Sequence, residues 1–594
     1  MNLIGFDLET SGLQPWRSDA EIYSMSSHDT EKYVCALPTK EQLRTFLRSN
    51  RADTGQVIVG WNVMFDIAWL MAYDLHDEVR ACRWLDGMLL LKRVDGWRQS
   101  YGLKTVVAET WPQHAGYGID DFSRPTTQEG WDKLLEYNHK DVVFTLALAK
   151  QYLSQLNDKE IAMALTEAEC LPELAQSWLD GINIDVVALA SLAAQNKVDL
   201  AEWLAVTGLT TKVIASPKQL ATALYDNWSL PILARTDKGA PSTSKDAINL
   251  LAVELPGDER LKALLEVRKC ITKQGKYIDA VYKSIEYNEA TVTHPQPQAG
   301  GTYTSRLTYS SKQGKGKQER QTGIALHQWS RDKRVRAELT APEGSLLAEF
   351  DFSGQEMRLM ADASMDDTML SLFLDGVDGH SFMGASIEGV DWKWVHQEQD
   401  NDPAAKSARY LGKFANLSLQ YRIGIDTMRI RALTQYGLNL SVQRATMIKG
   451  KYLSTYPEIA TYWNKSIRLA MKNGYAETRG GHRIQLDFGH EDTSYAAEQT
   501  AINFPIQGTG GDMKLLALAV VKNHFAEMGV KFAWDLHDAL FLYIPDDYYV
   551  VKKALKIQQM LSNLPYKQAW GWEPLVPLPV DCKIGKTWGS LKGL

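Results

Sequence analysis

The chain has 594 residues, too many for a single hydrophobic core, and this length predicts about three or four domains. A composition of 45% hydrophobic and 23% charged residues is ordinary for a globular protein. No apolar run approaches the ~20 residues that cross a bilayer, and the start lacks the basic region of a signal peptide. These features argue against membrane and secreted proteins, so we expect a cytoplasmic protein. The five scattered cysteines have no metal-ligand spacing and predict free buried thiols.

The net charge of −7 argues mildly against a nucleic-acid partner, but one segment of the chain is strongly basic. Arg306 to Arg336 contains nine lysines and arginines against two acidic residues. Such a run is usually a solvated loop. Here it directly precedes a predicted buried strand with a terminal carboxylate, which favours contact with a phosphate backbone.

Residues 1–155 form an α/β unit with its own set of acidic residues. Asp7 and Glu9 lie two residues apart on the opening strand, so both project from one face. Asp66 opens a helix, and Tyr137 and Asp141 lie one turn apart on a long helix predicted from Trp131 to Leu153. Each piece taken singly is more often structural. Together, four carboxylates and a tyrosine would hold two divalent ions and orient a water for attack on a phosphodiester.

Residues from about 160 to 300 contain no acidic constellation and are predicted to be mostly helical. Ser216 followed by Pro217 is typical of a helix start, with serine as the cap and proline in the first turn. This region therefore connects two sets of acidic residues.

The second acidic pair consists of Asp351 and Asp538. Ser345–Phe352 is predicted to be a buried strand, and Asp351 lies where it ends, before a helix. Lys531–Pro545 is predicted to be a hairpin with Asp538 at its tip. A strand-end aspartate is more often a cap or an ion-pair partner. Two carboxylates on adjacent strands repel unless cations lie between them, so the pair suggests a site for two metal ions ~4 Å apart.

Between these carboxylates, a helix is predicted from Asp402 to Gly424, with an aspartate cap and a first-turn proline. Arg409, Lys413, Leu417 and Tyr421 recur every four residues on it and are predicted to share one face. Two cations followed by an apolar and an aromatic residue suit a ligand with phosphates at one end and a base at the other. A purely core-facing stripe would not contain the two cations.

These motifs resemble those of family-A DNA polymerases. The stretch Asp351–Arg358 is similar to the first palm motif, His537–Asp538 to the second, and Arg409–Tyr421 to the nucleotide-binding helix between them. The series Asp7/Glu9, Asp66 and Tyr137/Asp141 is similar to the 3′–5′ proofreading exonuclease that precedes the polymerase in this family. The resemblance covers nearly the whole chain.

The resemblance implies a function for each group of residues. It implies exonuclease metal binding by Asp7, Glu9, Asp66 and Asp141, with Tyr137 orienting the attacking water. It implies polymerase metal binding by Asp351, Asp538 and the carbonyl of Phe352. It implies incoming-nucleotide contacts by Glu356, His380, Arg409, Lys413, Leu417 and Tyr421. It implies DNA contacts by Arg306, Asn503, Gln507 and His537, where Arg306 follows a serine at a position that is usually glycine.

The implied fold class is a multidomain α/β protein, with an RNase H-like exonuclease domain followed by a right-hand polymerase domain. The expected domains are the exonuclease (1–155), thumb (156–290), palm (291–360 and 496–594) and fingers (361–495). Expected ligands are primer–template DNA, dNTPs and two Mg²⁺ ions per active site, with Mn²⁺ as a substitute. We expect a monomer that resembles phage enzymes, located in the bacterial host cytoplasm if it is phage-encoded.

Two alternatives remain open at this stage. A single-subunit RNA polymerase shares the palm aspartates but would lack the exonuclease set, and Glu356 would crowd a ribose 2′-hydroxyl. The second alternative is a 3′–5′ exonuclease whose polymerase domain is only a DNA-binding scaffold. Ala539 and Gln499 stand where the family usually has glutamate and arginine, but neither change removes a metal-binding aspartate.

Overall fold

The N-terminal part of the chain folds around a five-stranded mixed sheet in the computed structural model, which describes residues 1–29, 31–118, 123–314 and 316–594. Its elements are β1 (Asn2–Thr10), β2 (Ile22–His28), β3 (Lys32–Ala36), α1 (Lys40–Ser49), β4 (Gln56–Gly60), α2 (Met64–Ala72), α3 (His76–Ala81), β5 (Trp84–Asp86), α4 (Gly87–Val94), α5 (Leu103–Thr110) and α6 (Gln128–Leu153). The strand order is β3-β2-β1-β4-β5, with β1 antiparallel to β2 and parallel to β4. Helix α6 packs closely on β1 because residue 5 is glycine: a Cβ there would lie 2.7 Å from Val142 Cγ1.

A mostly helical region follows, as the sequence predicts. Its elements are α7 (Asp158–Asp180), β6 (Ile182–Ile184), α8 (Val186–Thr207), α9 (Thr211–Ala215), α10 (Pro217–Ala221), α11 (Lys245–Glu254), α12 (Glu259–Lys273), α13 (Ala280–Asn288), β7 (Val292–Thr293), β8 (Gln296–Gln298), β9 (Thr308–Ser310), β10 (Lys312–Gln313), β11 (Arg320–Gln321), α14 (Lys333–Arg336) and β12 (Leu339–Thr340). The predicted cap at Ser216 is confirmed, since its side chain accepts a hydrogen bond from the backbone N–H of Gln219. Strands β12, β6 and β7 form a small sheet that joins the start of this region to its end.

The C-terminal part is built on a second five-stranded sheet, which is antiparallel throughout. Its elements are β13 (Ser345–Phe352), α15 (Gln355–Ser364), α16 (Asp367–Leu374), α17 (Gly379–Glu388), α18 (Trp392–Glu398), α19 (Pro403–Leu419), α20 (Ile425–Tyr436), α21 (Val442–Thr455), α22 (Glu458–Asn473), β14 (Tyr475–Glu477), β15 (Arg483–Gln485), α23 (Glu491–Val521), α24 (Phe525–Met528), β16 (Lys531–Leu536), β17 (Ala539–Pro545), α25 (Val550–Ser562), α26 (Tyr566–Trp570), β18 (Val580–Gly585) and β19 (Lys592–Gly593). The sheet order is β16-β17-β13-β18-β19, so β13 lies at its centre. The predicted strand Ser345–Phe352 and the predicted hairpin are both confirmed.

The predicted extent of the helix from Asp402 to Gly424 is wrong at its C-terminal end. Helix α19 ends at Leu419, and Tyr421 lies in the turn that follows. The buried indole of Trp463 donates a hydrogen bond to the Gln420 carbonyl at 2.8 Å, and Arg422 has a φ of 57°. A residue in the left-handed region ends a right-handed helix, and here a tertiary contact supports that ending.

Two composition-based expectations can be compared with the structure directly. None of the helices in the described ranges is long and apolar enough to span a membrane. All five cysteines are free, and four are buried, but Cys35 is only half-buried because it lies on the peripheral strand β3.

Candidate active sites

The first cluster of carboxylates lies at the junction of β1, α2 and α6. One ligand atom each from Asp7, Glu9 and Asp141 lies within 4.8 Å of the others. Asp66 lies beside them on α2 and is fixed there, because its Oδ1 accepts a hydrogen bond from the Leu8 backbone N–H at 3.0 Å. The structure thus brings together the four carboxylates that the sequence singled out, and a cavity of about 510 Å³ lies beside Asp7 and Asp141.

Burial and mutual repulsion shape the electrostatics of this cluster. Burial, followed by the neighbouring Asp141, raises the pKa of Glu9 to about 8. Burial also raises the pKa values of Asp7, Asp66 and Asp141, and acidic neighbours add to this for Asp7 and Asp66. Oxygen ligands gathered at such a distance fit hard divalent cations, which would remove the repulsion that raises these pKa values.

Two residues that sequence reasoning missed complete this cluster. The Lys104 ammonium pairs with Asp141 and lies 4.3 Å from the ring centroid of Tyr137. The Asn138 side chain donates a hydrogen bond to Asp7 Oδ2 at 2.6 Å and accepts one from Ser24 at 3.1 Å. Asn138 directly follows Tyr137 and could have been found from its position. Lys104 lies in the first turn of a separate short helix, α5, and no spacing signal connects it to the acidic residues.

The second pair of carboxylates lies on the central strands of the C-terminal sheet. Asp351 is paired with Ala539 on β17 on one side and with Asp581 on β18 on the other. The backbone N–H of Phe352 donates to the Asp538 carbonyl at 3.1 Å, which holds the hairpin tip against the end of β13. The register therefore places Asp538 next to Asp351, as the sequence pattern predicts. Asp581 is a third carboxylate in register that sequence reasoning missed.

Charge is concentrated at this strand end too. Burial, followed by the neighbouring Asp538, raises the pKa of Asp351 to about 6. His537 precedes Asp538 at the exposed hairpin tip with a φ of 51°, and partial desolvation of its ring, followed by nearby cations, lowers its pKa to about 4. His537 is therefore neutral at pH 7, and the two aspartates carry the acidic character of the site.

Glu356 on α15 connects the carboxylate pair to two other segments, the one that carries Arg306 and the turn after α19. Its Oε1 accepts a hydrogen bond from Arg306 at 3.1 Å, and the same Arg306 nitrogen lies 3.3 Å from Asp538 Oδ1. Its Oε2 accepts hydrogen bonds from the Tyr421 hydroxyl at 2.7 Å and from the Gln420 amide at 3.2 Å. Glu356 is thus held in one orientation by three donors, next to the strand that carries Asp351.

Helix α19 presents its two cations to α17. Arg409 Nε donates to Asp378 Oδ2 at 2.7 Å. Burial opposes this pairing, yet hydrogen bonds from Ser381 and Arg409 lower the pKa of Asp378 to about 2. Burial and the nearby charge of Arg409 lower the pKa of Lys413. Leu417 lies on the same helix, half-buried against the core.

His380 lies between these cations and the core. Burial lowers its pKa to about 4, so the imidazole is neutral at pH 7. The Asn416 amide nitrogen lies 3.2 Å from His380 Nδ1 and donates to the Gly379 carbonyl at 2.8 Å. With the Asn416 amide assigned as the donor, Nδ1 accepts and the ring proton is on Nε2, available to an anionic ligand. Sequence reasoning missed Asn416.

The remaining DNA-contact candidates lie on helix α23, which packs against α15. Asn503 and Gln507 are half-buried and one turn apart, on the helix that also supports the Arg306 segment. The basic run from Arg306 to Arg336 consists mainly of loops and short strands, and its Lys315 lies outside the described residues.

The structure combines an N-terminal α/β domain that carries one acidic cluster with a C-terminal antiparallel sheet that carries a second, and comparisons with known proteins identify the family. Residues 189–590 match the model of DNA polymerase family A, and residues 1–157 match the 3′-5′ exonuclease model. The chain belongs to DNA polymerase family A. The predicted fold class is thereby confirmed: an exonuclease domain precedes a family-A polymerase domain.

Relatives with curated descriptions agree with this assignment. DNA polymerase I of Pseudomonas aeruginosa is 27% identical over 63% of this chain and 38% of the relative. The DNA polymerase of Bacillus phage SP01 is 22% identical over 97% of this chain and 69% of the relative. The thermostable DNA polymerase I of Thermus aquaticus is 27% identical over 70% of this chain and 47% of the relative. The chain thus spans less than half the length of the two bacterial relatives.

A solved structure shows the same fold. The POL domain of Pol1 from M. smegmatis, in complex with DNA primer-template and dNTP, is similar with a TM-score of 0.78 at 20% identity. The match covers 99% of this chain and 96% of that chain. Polymerase and exonuclease domains of these families generally depend on divalent metal ions, which the two carboxylate clusters would suit.

Proposed function

We propose that this protein is a template-directed DNA polymerase with a 3′–5′ proofreading exonuclease at a separate site. The observation that carries this proposal is the arrangement around Glu356, where one arginine links the side chain to Asp538 and a tyrosine holds its other oxygen. A domain that only bound DNA would not need Glu356 to be held in one orientation beside the carboxylates Asp351 and Asp538.

The proposed domains follow the expected division. They are the exonuclease (1–155), thumb (156–290), palm (291–360 and 496–594) and fingers (361–495). Helices α15 and α23 continue across the borders at 360 and 495, so the fingers are joined to the palm by unbroken helices. We propose that the chain acts as a monomer in the cytoplasm, which is the host cytoplasm if a phage encodes it.

In the polymerase site, Asp351, Asp538 and the Phe352 carbonyl would hold two Mg²⁺ ions, with Mn²⁺ as a substitute. The ions would lower the pKa of the primer 3′-hydroxyl and neutralise the charge on the leaving pyrophosphate. Arg409 and Lys413 place positive potential along the middle of α19, and the His380 Nε2–H adds a hydrogen-bond donor from α17. Arg409 would exchange its bond to Asp378 for a phosphate, while the Ser381 hydroxyl and the backbone N–H groups of His380 and Ser381 continue to hold that carboxylate.

The other nucleotide and DNA contacts in the polymerase site are assigned by position. Glu356 and Tyr421 would lie against the sugar of the incoming dNTP, and Leu417 would pack beside them. Arg306 would leave the acidic residues to reach the minor groove at the primer end, where readout tests pair shape more than sequence. The remaining contacts to primer–template DNA are assigned to Asn503, Gln507 and His537.

In the exonuclease site, Asp7, Glu9, Asp66 and Asp141 would hold two divalent ions that activate water and stabilise the leaving 3′-oxygen. The Tyr137 hydroxyl would orient that water. Lys104 adds a cation within the same cleft, next to Asp141 and the tyrosine ring. The Asn138 hydrogen bond fixes the orientation of Asp7.

The experiment that tests this function is extension of a labelled primer on a DNA template with dNTPs and Mg²⁺. We expect templated full-length products, and 3′-end shortening when dNTPs are omitted. Shortening without any extension would leave an exonuclease with a DNA-binding scaffold, and would overturn the polymerase assignment.

A further inference from the structure

The segment that carries Arg306 contains a residue in an unusual conformation. Ser305 has a φ of 59°, and it is only 4% exposed. The left-handed region favours glycine and is unfavourable for a residue with a Cβ. Such strain persists where the surrounding structure over-determines it, so the contacts of the Ser305 side chain need an explanation.

Those contacts lead to a buried polar network. The Ser305 hydroxyl lies 2.7 Å from His482 Nδ1, at the tip of the β14–β15 hairpin. The hairpin tip is tied to helix α23, because the Thr478 hydroxyl donates to Asp512 Oδ2 at 2.5 Å and accepts from the His482 backbone N–H at 3.0 Å. Asp512 is fully buried, and its Oδ1 lies 4.0 Å from the same His482 nitrogen.

Close backbone packing locks this network in place. A Cβ at Gly511 would lie 2.1 Å from the Thr304 carbonyl oxygen, so glycine is needed for α23 to touch the segment before Ser305. The backbone N–H of Arg306 donates to the Thr302 hydroxyl at 3.2 Å, which fixes the turn from the other side. Ser305 is therefore held by its side-chain contact with His482, by the turn that Thr302 fixes and by the close approach of α23 at Gly511.

We propose that His482 is a positioning residue, which acts through Ser305 to fix the backbone from which Arg306 reaches Asp538 and Glu356 in the free protein and would reach the minor groove in the DNA complex. In the free protein the Arg306 guanidinium reaches both carboxylates, and its Nε is buried without a hydrogen-bond partner among the described residues. The two carboxylate contacts are both made by one terminal nitrogen, so they leave the rest of the guanidinium without a fixed partner among the described residues. The Arg306 backbone must set the direction of the side chain, and the backbone direction is set at Ser305.

This inference rests on the proposed polymerase function, and it concerns selectivity for a correctly paired primer end. If Arg306 senses the minor groove at that end, a displaced Arg306 should slow extension of a matched primer more than of a mismatched one. His482 and Ser305 would then determine specificity without touching DNA.

The test compares single-nucleotide extension and equilibrium primer–template binding in a set of variants. Ser305→Ala removes the hydroxyl, while Ser305→Gly also removes the conformational strain. His482→Ala removes the ring, whereas His482→Asn places an amide close to the Nδ1 position, and His482→Gln places one near Nε2. The Arg306→Ala background shows whether each change acts through the arginine.

We expect Ser305→Ala and His482→Ala to lower the extension rate on a matched primer about tenfold, with the KM for dNTP unchanged. Extension of a mismatched primer should fall less than threefold, and His482→Asn should recover most of the rate while His482→Gln should not. In Arg306→Ala, neither change should lower the rate further. Activity on single-stranded DNA at the exonuclease site should stay at the parent level and report intact folding.

Rates within twofold of the parent in both variants would overturn the proposal, as would equal losses on matched and mismatched primers. A full additional loss in the Arg306→Ala background would also overturn it. A parent that binds primer–template but does not extend it would contradict the proposed function instead. The primer–template affinities of the His482→Ala, Arg306→Ala and double variants would then test the positioning role. That role requires His482→Ala to lower the affinity of the parent and to have no effect in the Arg306→Ala background.

Discussion

At the scale of single residues, one basic side chain contacts the acidic residues in each candidate site. Lys104 contacts Asp141 in the first site, and Arg306 contacts Asp538 and Glu356 in the second. A group of like charges shielded from water, wholly or in part, is costly unless cations compensate it. In the free protein, Lys104 and Arg306 therefore offset part of the negative charge that bound metal ions would otherwise neutralise.

The first prediction concerns Lys104. Lys104→Met keeps the length of the side chain and removes its charge, so repulsion within the carboxylate cluster should increase. We expect a melting temperature about 2–4 °C lower than the parent in EDTA at pH 8, and a larger rise on adding Mg²⁺. Lys133→Met, at an exposed lysine on α6, is the matched control. Equal Mg²⁺-induced rises in the parent and in Lys104→Met would contradict this role.

The second prediction concerns the sugar selectivity of the polymerase site. Glu356 is held by Arg306, Gln420 and Tyr421, so its carboxylate occupies a fixed position. Glu356→Ala should raise the use of rNTPs relative to dNTPs at least about tenfold, because space for a 2′-hydroxyl opens. Tyr421→Phe removes one of the three hydrogen-bond donors to Glu356 and should raise the use of rNTPs relative to dNTPs by a smaller factor. An unchanged ratio of kcat/KM values in Glu356→Ala would remove Glu356 from this role.

At the scale of secondary structure elements, the sequence predicts strands well and helix ends less well. Strand Ser345–Phe352 and the hairpin after Lys531 follow from apolar patterns that end at a polar residue, and both are confirmed. The end of α19 at Leu419 depends on a hydrogen bond from a distant tryptophan, which no local pattern encodes. Lys104 was missed for the same reason, because only tertiary folding brings it to Asp141.

The third prediction concerns Glu338, which directly precedes β12. Its side chain is fully buried, and neither carboxyl oxygen has a hydrogen-bond partner among the described residues. Burial raises the pKa of Glu338 from 4.5 to about 9. The folded protein then retains a proton that the unfolded chain releases above about pH 4.5, so the stability contributed by Glu338 falls as the pH rises toward 9.

Glu338→Gln should therefore stabilise the protein by about 1–3 kcal/mol at pH 8 and have almost no effect near pH 4.5. Thermal denaturation of parent and variant at both pH values measures this difference. Glu343→Gln changes an exposed glutamate nearby and is the control. A stabilisation that is the same at both pH values would show that Glu338 is not the titrating group.

At the scale of the whole molecule, the two carboxylate clusters lie beside two different sheets, in domains that are packed together. The Lys92 ammonium of the first domain donates to the carbonyls of Ala299 and Gly300, at 3.1 and 3.2 Å. The Trp97 indole donates to the Gln485 carbonyl at 2.5 Å. These contacts join the domains, yet the two clusters share no carboxylate, so we expect the chemistry at one site to proceed without the other.

The central claim is that one chain carries two independent active sites, and the most direct measurement is to inactivate each in turn. Asp351→Asn keeps the shape of the strand end but removes a metal-binding charge, and Asp7→Ala removes a carboxylate of the other cluster. We expect Asp351→Asn to abolish primer extension, by at least about a thousandfold, and to leave 3′-end degradation near the parent rate. Asp7→Ala should do the reverse and raise the error rate. Loss of both activities from either folded variant would contradict the account.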